Sequence, residues 1–211
     1  MPKRFPKESV LLLAQGLGLD LGGKPLLNGL NFSLHPGLNL LLGGEGRGKT
    51  SLLRLIAGTL KPSRGQITLP GPDGLGTPRI FYACPEAAEH DDCLAQDWLN
   101  QQRSQFPDWQ MPVQEALAEA FALCEHLGKS MRMLSTGSRR KIGLLAAAAS
   151  AAELTLLDQP FAALDGRSSR VLRELLLEAA AQRERAWLLA DYQLPDGLAD
   201  ALLQTQVDLG D

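Results

Sequence analysis

Eight residues, GGEGRGKT at Gly43–Thr50, limit what this chain can fold into more than any other stretch. They fit the spacing GxxxxGKT, and both flanks suit it. The apolar run Leu38–Leu42 leads in, and KTSLLRLIAGTL follows with Leu52, Leu55, Ile56 and Leu60 at helical spacing. Strand, glycine loop and helix in that order make a phosphate cradle. Gly43, Gly44, Gly46 and Gly48 let the backbone turn its amides inward, so the whole loop, with Glu45, Arg47 and Ser51, is expected to hold phosphate. Lys49 is placed to reach the outer phosphates and the Thr50 hydroxyl to bind magnesium, while the helix starting near Lys49 adds its positive dipole end. A chance glycine turn would not explain both flanks.

Further short apolar runs at Ile80–Ala83, Leu154–Leu157 and Ala186–Ala190 read as buried strands, with helix-like segments between or after them. That alternation predicts an α/β core with a largely parallel sheet. Between Pro85 and Met133 the strand signal fades, and Pro112–Gly128 shows helical periodicity with a proline suited to a first turn. This stretch is expected to be a helical insertion. Leu144–Ala152, LLAAAASAA, reads as a tightly packed helix end. Asp158 follows the run Leu154–Leu157, where a strand-end carboxylate holds magnesium through water. By itself such an aspartate is equally a cap or a turn former; the phosphate loop favours the metal role.

With 21 Lys and Arg against 24 Asp and Glu, the formal charge of −3 gives no general attraction to nucleic acid, and no such partner is expected. Three cysteines without a CxxC pair point to a reducing compartment, and neither a bilayer-spanning run nor a signal peptide is recognisable. The cluster EHDDC, Glu89–Cys93, lacks ligand spacing and is expected to be a solvated loop or helix start. Trp98 and Trp109 are expected to pack in a core, with contact to a partner as the alternative.

Several motifs in order resemble the ATP-binding subunits of ABC transporters, over nearly the whole chain. Asn31–Gly71 looks like the family's opening half, LSTGSRRK at Leu134–Lys141 resembles the LSGGQ signature, and LLDQPFAALD at Leu156–Asp165 resembles LLDEPFAALD. The resemblance implies that Ser135, Thr136 and Gly137 meet the γ phosphate held by a second cassette, so that the active unit is a head-to-tail dimer. Read from the residues alone, Ser135 is a helix N-cap. Thr136 stands where the first signature glycine belongs and Ser138 where the glutamine does.

Four further positions depart from the family pattern. Glu86 replaces the Q-loop glutamine, Gln159 the catalytic glutamate, Asp191 the switch histidine, and Leu21 the aromatic that stacks on adenine. An amide cannot take a proton from water as a carboxylate does, so Gln159 implies hydrolysis slowed by roughly a hundred to ten thousand fold. Glu86 then has two readings: a magnesium ligand or displaced base, or a solvated acid. Asp191, if ionised, repels phosphate, and is otherwise a turn residue after its strand.

The expected fold is α/β, a P-loop nucleotide hydrolase core of the ABC type with a mainly parallel sheet, an N-terminal antiparallel β region and a helical insertion. It is expected as one nucleotide-binding domain over 1–211 with a helical subdomain at 86–136. ATP and Mg2+ are the expected cofactors. A separate transmembrane permease and a second cassette are the expected partners, and the expected location is cytoplasmic, peripheral on the inner face of the cell membrane. A regulatory cassette that binds but scarcely hydrolyses ATP is the second reading. A non-transport ABC protein is the third, disfavoured by the single cassette and the acidic balance.

Overall fold

A computed structural model describes residues 10–70, 77–84 and 86–210. The described chain divides into two compact units. The first takes the sequence up to Ile80, Glu153–Gln159 and Leu176–Asp211; the second takes Phe81–Ala152 and Pro160–Leu175.

Two sheets make the first unit. β1 (Leu12–Leu21) and β2 (Lys24–Leu34) form an antiparallel hairpin, and β4 (Arg64–Thr68) pairs with β1 on its other edge. The second sheet has the order β5-β6-β7-β3-β8, with β3 at Gly37–Leu42, β5 at Ile80–Phe81, β6 at Leu154–Asp158, β7 at Ala186–Asp191 and β8 at Leu203–Asp208. β3 runs parallel to both β7 and β8, and β6 parallel to β7. Parallel strands covered on both faces need apolar residues at consecutive positions. Thus Leu40, Leu41, Leu154, Leu156, Leu188 and Leu189 are buried on both sides of the pleat. α1 (Lys49–Ile56) packs Leu52, Leu53, Leu55 and Ile56 against β6 and β7.

β5 is shorter than the Ile80–Ala83 run suggests. Its attachment to β6 is reinforced by Arg79: the Leu154 amide donates to the Arg79 carbonyl at 3.2 Å. The Arg79 amide (2.9 Å) and guanidinium (3.0 and 3.1 Å) return bonds to the Glu153 carboxylate. Burial acts to raise the Glu153 carboxyl, but these bonds outweigh it and hold the group below the ordinary glutamate value.

The second unit is helical. α2 (Ala95–Gln105) and α3 (Met111–Ala120) pack on α4 (Thr136–Ala149), whose residues Ile142–Ala149 are buried on all sides. α3 stops well short of Gly128. Ala122 takes a left-handed φ of 53°, its amide donates to the Glu119 carbonyl, and the Leu123 amide reaches the Ala118 carbonyl at 2.7 Å. This is a Schellman stop with buried Leu123 as its apolar plug, made without the usual glycine. α5 (Gly166–Ala181) starts from Asp165, which accepts from the Ser168 amide (2.8 Å) and hydroxyl (3.0 Å). These bonds hold the Asp165 carboxyl below its ordinary value. Trp98 lies in the core with its ring at the edge of His90, 6.1 Å between centroids, and Trp109 donates to Gln114 at 2.9 Å. In the acidic cluster, Asp92 pairs with Arg132 at 2.9 Å and Asp91 with Arg139. No described helix is long and apolar enough to cross a membrane.

Candidate nucleotide site

Open parallel sheets offer ligands the carboxyl ends of their strands. Here Leu42 pairs with Asp191 and Asp158 with Ala190, so the ends of β3, β6 and β7 come level where the glycine loop departs. Gly48 turns the chain into α1 with φ 95°, and a Cβ there would lie 3.0 Å from Leu27 and 3.1 Å from Leu26. Only glycine meets both demands. The start of the loop is tied from behind: the Gly44 amide donates to the Gly210 carbonyl and the Leu209 amide to the Leu42 carbonyl, both at 2.9 Å. The Gly44 amide is thereby engaged within the protein. Glu45, Gly46 and Arg47 are exposed, and Ser51 is half-buried on α1.

Thr50 Oγ1 donates to Asp158 Oδ2 at 2.5 Å, joining the two residues expected to hold magnesium. Asp158 Oδ1 is buried and has no hydrogen-bond partner among the described residues. An orphaned carboxylate oxygen beside a threonine hydroxyl suits a hard divalent cation, whose remaining ligands would come from phosphate and water. Among the described residues no group of three or more His, Cys, Asp or Glu could hold a metal by itself.

Lys49 is 5% exposed. Its ammonium donates to the carbonyls of Gly43 at 2.5 Å and Gly44 at 2.9 Å, and lies 4.0 Å from the centroid of the Tyr192 ring. Gln159 has φ 45°, donates its backbone amide to the Ala190 carbonyl at 2.9 Å, and directs Nε2 to the Tyr192 hydroxyl at 3.4 Å. Asp191 accepts from the Tyr192 amide at 2.8 Å. Burial raises the Asp191 carboxyl above its ordinary value and the Asp158 charge adds to this, opposed by the Tyr192 amide and Lys49. Leu21, at the end of β1, is 50% exposed and presents an aliphatic side chain.

The signature residues and Glu86 belong to the second unit. Ser135 caps α4, its Oγ accepting from the Ser138 amide at 3.1 Å and donating to the Ser138 hydroxyl at 3.0 Å. Thr136 is the exposed first residue of the helix. Gly137 is sterically required: a Cβ there would lie 2.4 Å from the Ala163 carbonyl oxygen. The Glu86 carboxylate accepts from Arg140 Nε at 2.8 Å, and the Glu86 carbonyl accepts from Arg139 at 3.3 Å. Arg140 donates a further bond to the Ala162 carbonyl at 2.6 Å.

The profile of the ABC transporter family matches residues 27–162. This chain belongs to the ABC transporter family. Among its cassette relatives, the taurine import ATP-binding protein TauB of Pseudomonas syringae pv. tomato is 34% identical over 203 residues, covering 89% of this chain and 75% of that one. The cytochrome c biogenesis ATP-binding export protein CcmA of Rhodospirillum rubrum is 34% identical over 180 residues, covering 82% and 76%. A solved Pyrococcus furiosus chain described as an ABC transporter ATP-binding protein shares the fold with TM-score 0.73 at 22% identity, over 94% of this chain and 96% of that one. A nucleotide-free ABC cassette shares it with TM-score 0.66 at 17% identity, over 88% and 83%. The α/β cassette architecture expected from the sequence is therefore the one present. ABC cassettes bind ATP and are ATPases as a family. Two side chains were not singled out by sequence reasoning: Tyr192, just after β7, and Arg140, on α4. Each contacts a residue flagged for its type, Gln159 for Tyr192 and Glu86 for Arg140, although no role was read for either from the sequence.

Proposed function

We propose that this chain is the ATP-binding subunit of an ABC transporter that binds magnesium ATP and hydrolyses it slowly. The observation that carries the reading is the Thr50–Asp158 bond at the mouth of an unbroken phosphate loop, with an amide side chain, Gln159, as the next residue. Gly43, Gly46, Gly48 and Lys49 hold the phosphates, helped by the backbone of Glu45, Arg47 and Ser51. Thr50 and Asp158 hold the magnesium, which supplies charge neutralisation on the phosphate chain. Lys49 exchanges its two loop carbonyls for phosphate oxygens.

Ser135, Thr136 and Gly137 complete the site of a second cassette in a head-to-tail dimer, and closure of that dimer drives a separate membrane permease on the cytoplasmic face. The bond between Glu86 and Arg140 supports a positioning role for Glu86 over a role as magnesium ligand or base, because part of its acceptor capacity is already engaged. A second reading, a regulatory cassette that closes on ATP with scarcely any turnover, is favoured by Gln159 and Asp191 standing together where a base and a phosphate donor are wanted.

The test is ATP turnover by the purified chain, alone and with a co-purifying membrane subunit. Slow magnesium-dependent turnover abolished by Lys49→Ala supports the transporter ATPase. ATP binding abolished by Lys49→Ala without measurable turnover in either setting supports the regulatory cassette. Binding and turnover both indifferent to Lys49→Ala contradict both.

A further inference from the structure

We propose that Tyr192 contacts the terminal phosphate of bound ATP, its hydroxyl donating to a γ-phosphate oxygen while Gln159 holds that hydroxyl from the other side. The inference rests on the ATP-binding reading above and deepens it. Lys49 is enclosed by the Gly43 and Gly44 carbonyls and by the Tyr192 ring, whose centroid is 4.0 Å from the ammonium. A phosphate chain that reaches Lys49 therefore arrives beside Tyr192. A phenol has one proton to donate and two lone pairs. The bond from Gln159 Nε2, 3.4 Å long, uses a lone pair and leaves the proton for an anionic oxygen.

The neighbouring Asp191 has no proton to offer when ionised, and its carboxylate already accepts from the Tyr192 backbone amide, which anchors the start of the tyrosine. Tyr192 is 49% exposed, so the ring adjusts to an incoming phosphate without disturbing the core. Gln159 thereby acquires a task suited to an amide: it orients a donor.

The rival account makes Tyr192 only a cover for Lys49, and Tyr192→Phe separates the two because it keeps the ring and removes the proton. Binding of ATP and of ADP, each with magnesium, is measured on the full chain by displacement of a fluorescent nucleotide, for the unmodified protein, Tyr192→Phe and Tyr192→Ala. The expected result for Tyr192→Phe is ATP affinity lowered roughly three- to tenfold, the ordinary worth of one hydrogen bond, with ADP affinity unchanged. Tyr192→Ala should lose the ATP preference to at least the same degree. The preference within one variant is independent of the fraction folded.

An ATP-to-ADP affinity ratio equal in the unmodified protein and Tyr192→Phe overturns the proposal. So does a parallel gain in affinity for both nucleotides in Tyr192→Ala while Tyr192→Phe, which keeps the ring over Lys49, binds both as the unmodified protein does, the signature of a cover. Failure of the unmodified chain to bind either nucleotide removes the ATP reading itself, and this proposal with it.

Discussion

Gln159 was identifiable because its neighbours on both sides, Asp158 and Pro160, fit a recognised pattern; its surroundings were not. Its φ of 45° and its amide bond to Ala190 hold the backbone at the end of β6 while the side chain meets Tyr192. On the proposed reading a carboxylate at this position supplies the general base, so Gln159→Glu should raise magnesium-dependent ATP turnover by roughly a hundredfold, measured as phosphate release. No gain in turnover would mean that loss of the base is not what limits the rate. Tyr192 escaped sequence reading because motif spacing carries residue type but not the direction a side chain takes after a strand ends. The Lys49–Tyr192 contact joins residues far apart in sequence, and no periodicity encodes it.

α4 shows what a helix start can hold. Three consecutive basic residues fan out from its first turns: Arg139 to the Glu86 carbonyl and Asp91, Arg140 to the Glu86 carboxylate and the Ala162 carbonyl, and Lys141 to Asp165 at 3.6 Å. The helix thus clamps the Glu86 loop and the Ala162–Asp165 loop within one unit. Arg140→Ala should destabilise the protein by about 1–2 kcal/mol in urea unfolding, the scale of a lost charged hydrogen bond. The double exchange Glu86→Arg with Arg140→Glu should recover part of that loss, which neither single exchange achieves; absence of recovery would argue against a direct pair.

The Ala163 carbonyl leaves no room at Gly137, so Gly137→Ala should cost about 1–3 kcal/mol, whereas Gly128→Ala, with open space at its Cβ, should be near neutral by the same measurement. The chain thus keeps the signature glycine that packing demands and replaces the other with Thr136. Helix termini were the weakest part of the sequence reading. α3 stops on Ala122, a residue with no turn signature, because burying Leu123 favours the left-handed turn.

Across the whole molecule, the parallel sheet was legible because strands buried on both faces leave continuous apolar runs, and the glycine loop fixed which strand precedes the first helix. The bond between Arg79 and Glu153 was not legible, since an ion pair across so many residues has no local signal. It gives a pH dependence whose sign follows from the lowered Glu153 value. Its stabilisation is present in full above the ordinary glutamate range and is lost as pH falls through the folded value. Glu153→Gln should therefore cost about 2 kcal/mol near neutrality, and the gap between variant and unmodified protein should narrow below about pH 4. Urea unfolding across a pH series measures it; a gap that widens on acidification would reverse the assignment.

The tie from Gly44 to Gly210 bears on the order in which the chain acquires its parts. The phosphate loop leaves the ribosome well before Gly210, whose carbonyl anchors its first turn. Until the segment after β8 has been made, a nascent chain carries the GKT sequence with that anchor missing, so the loop is completed only when a distant part of the chain arrives.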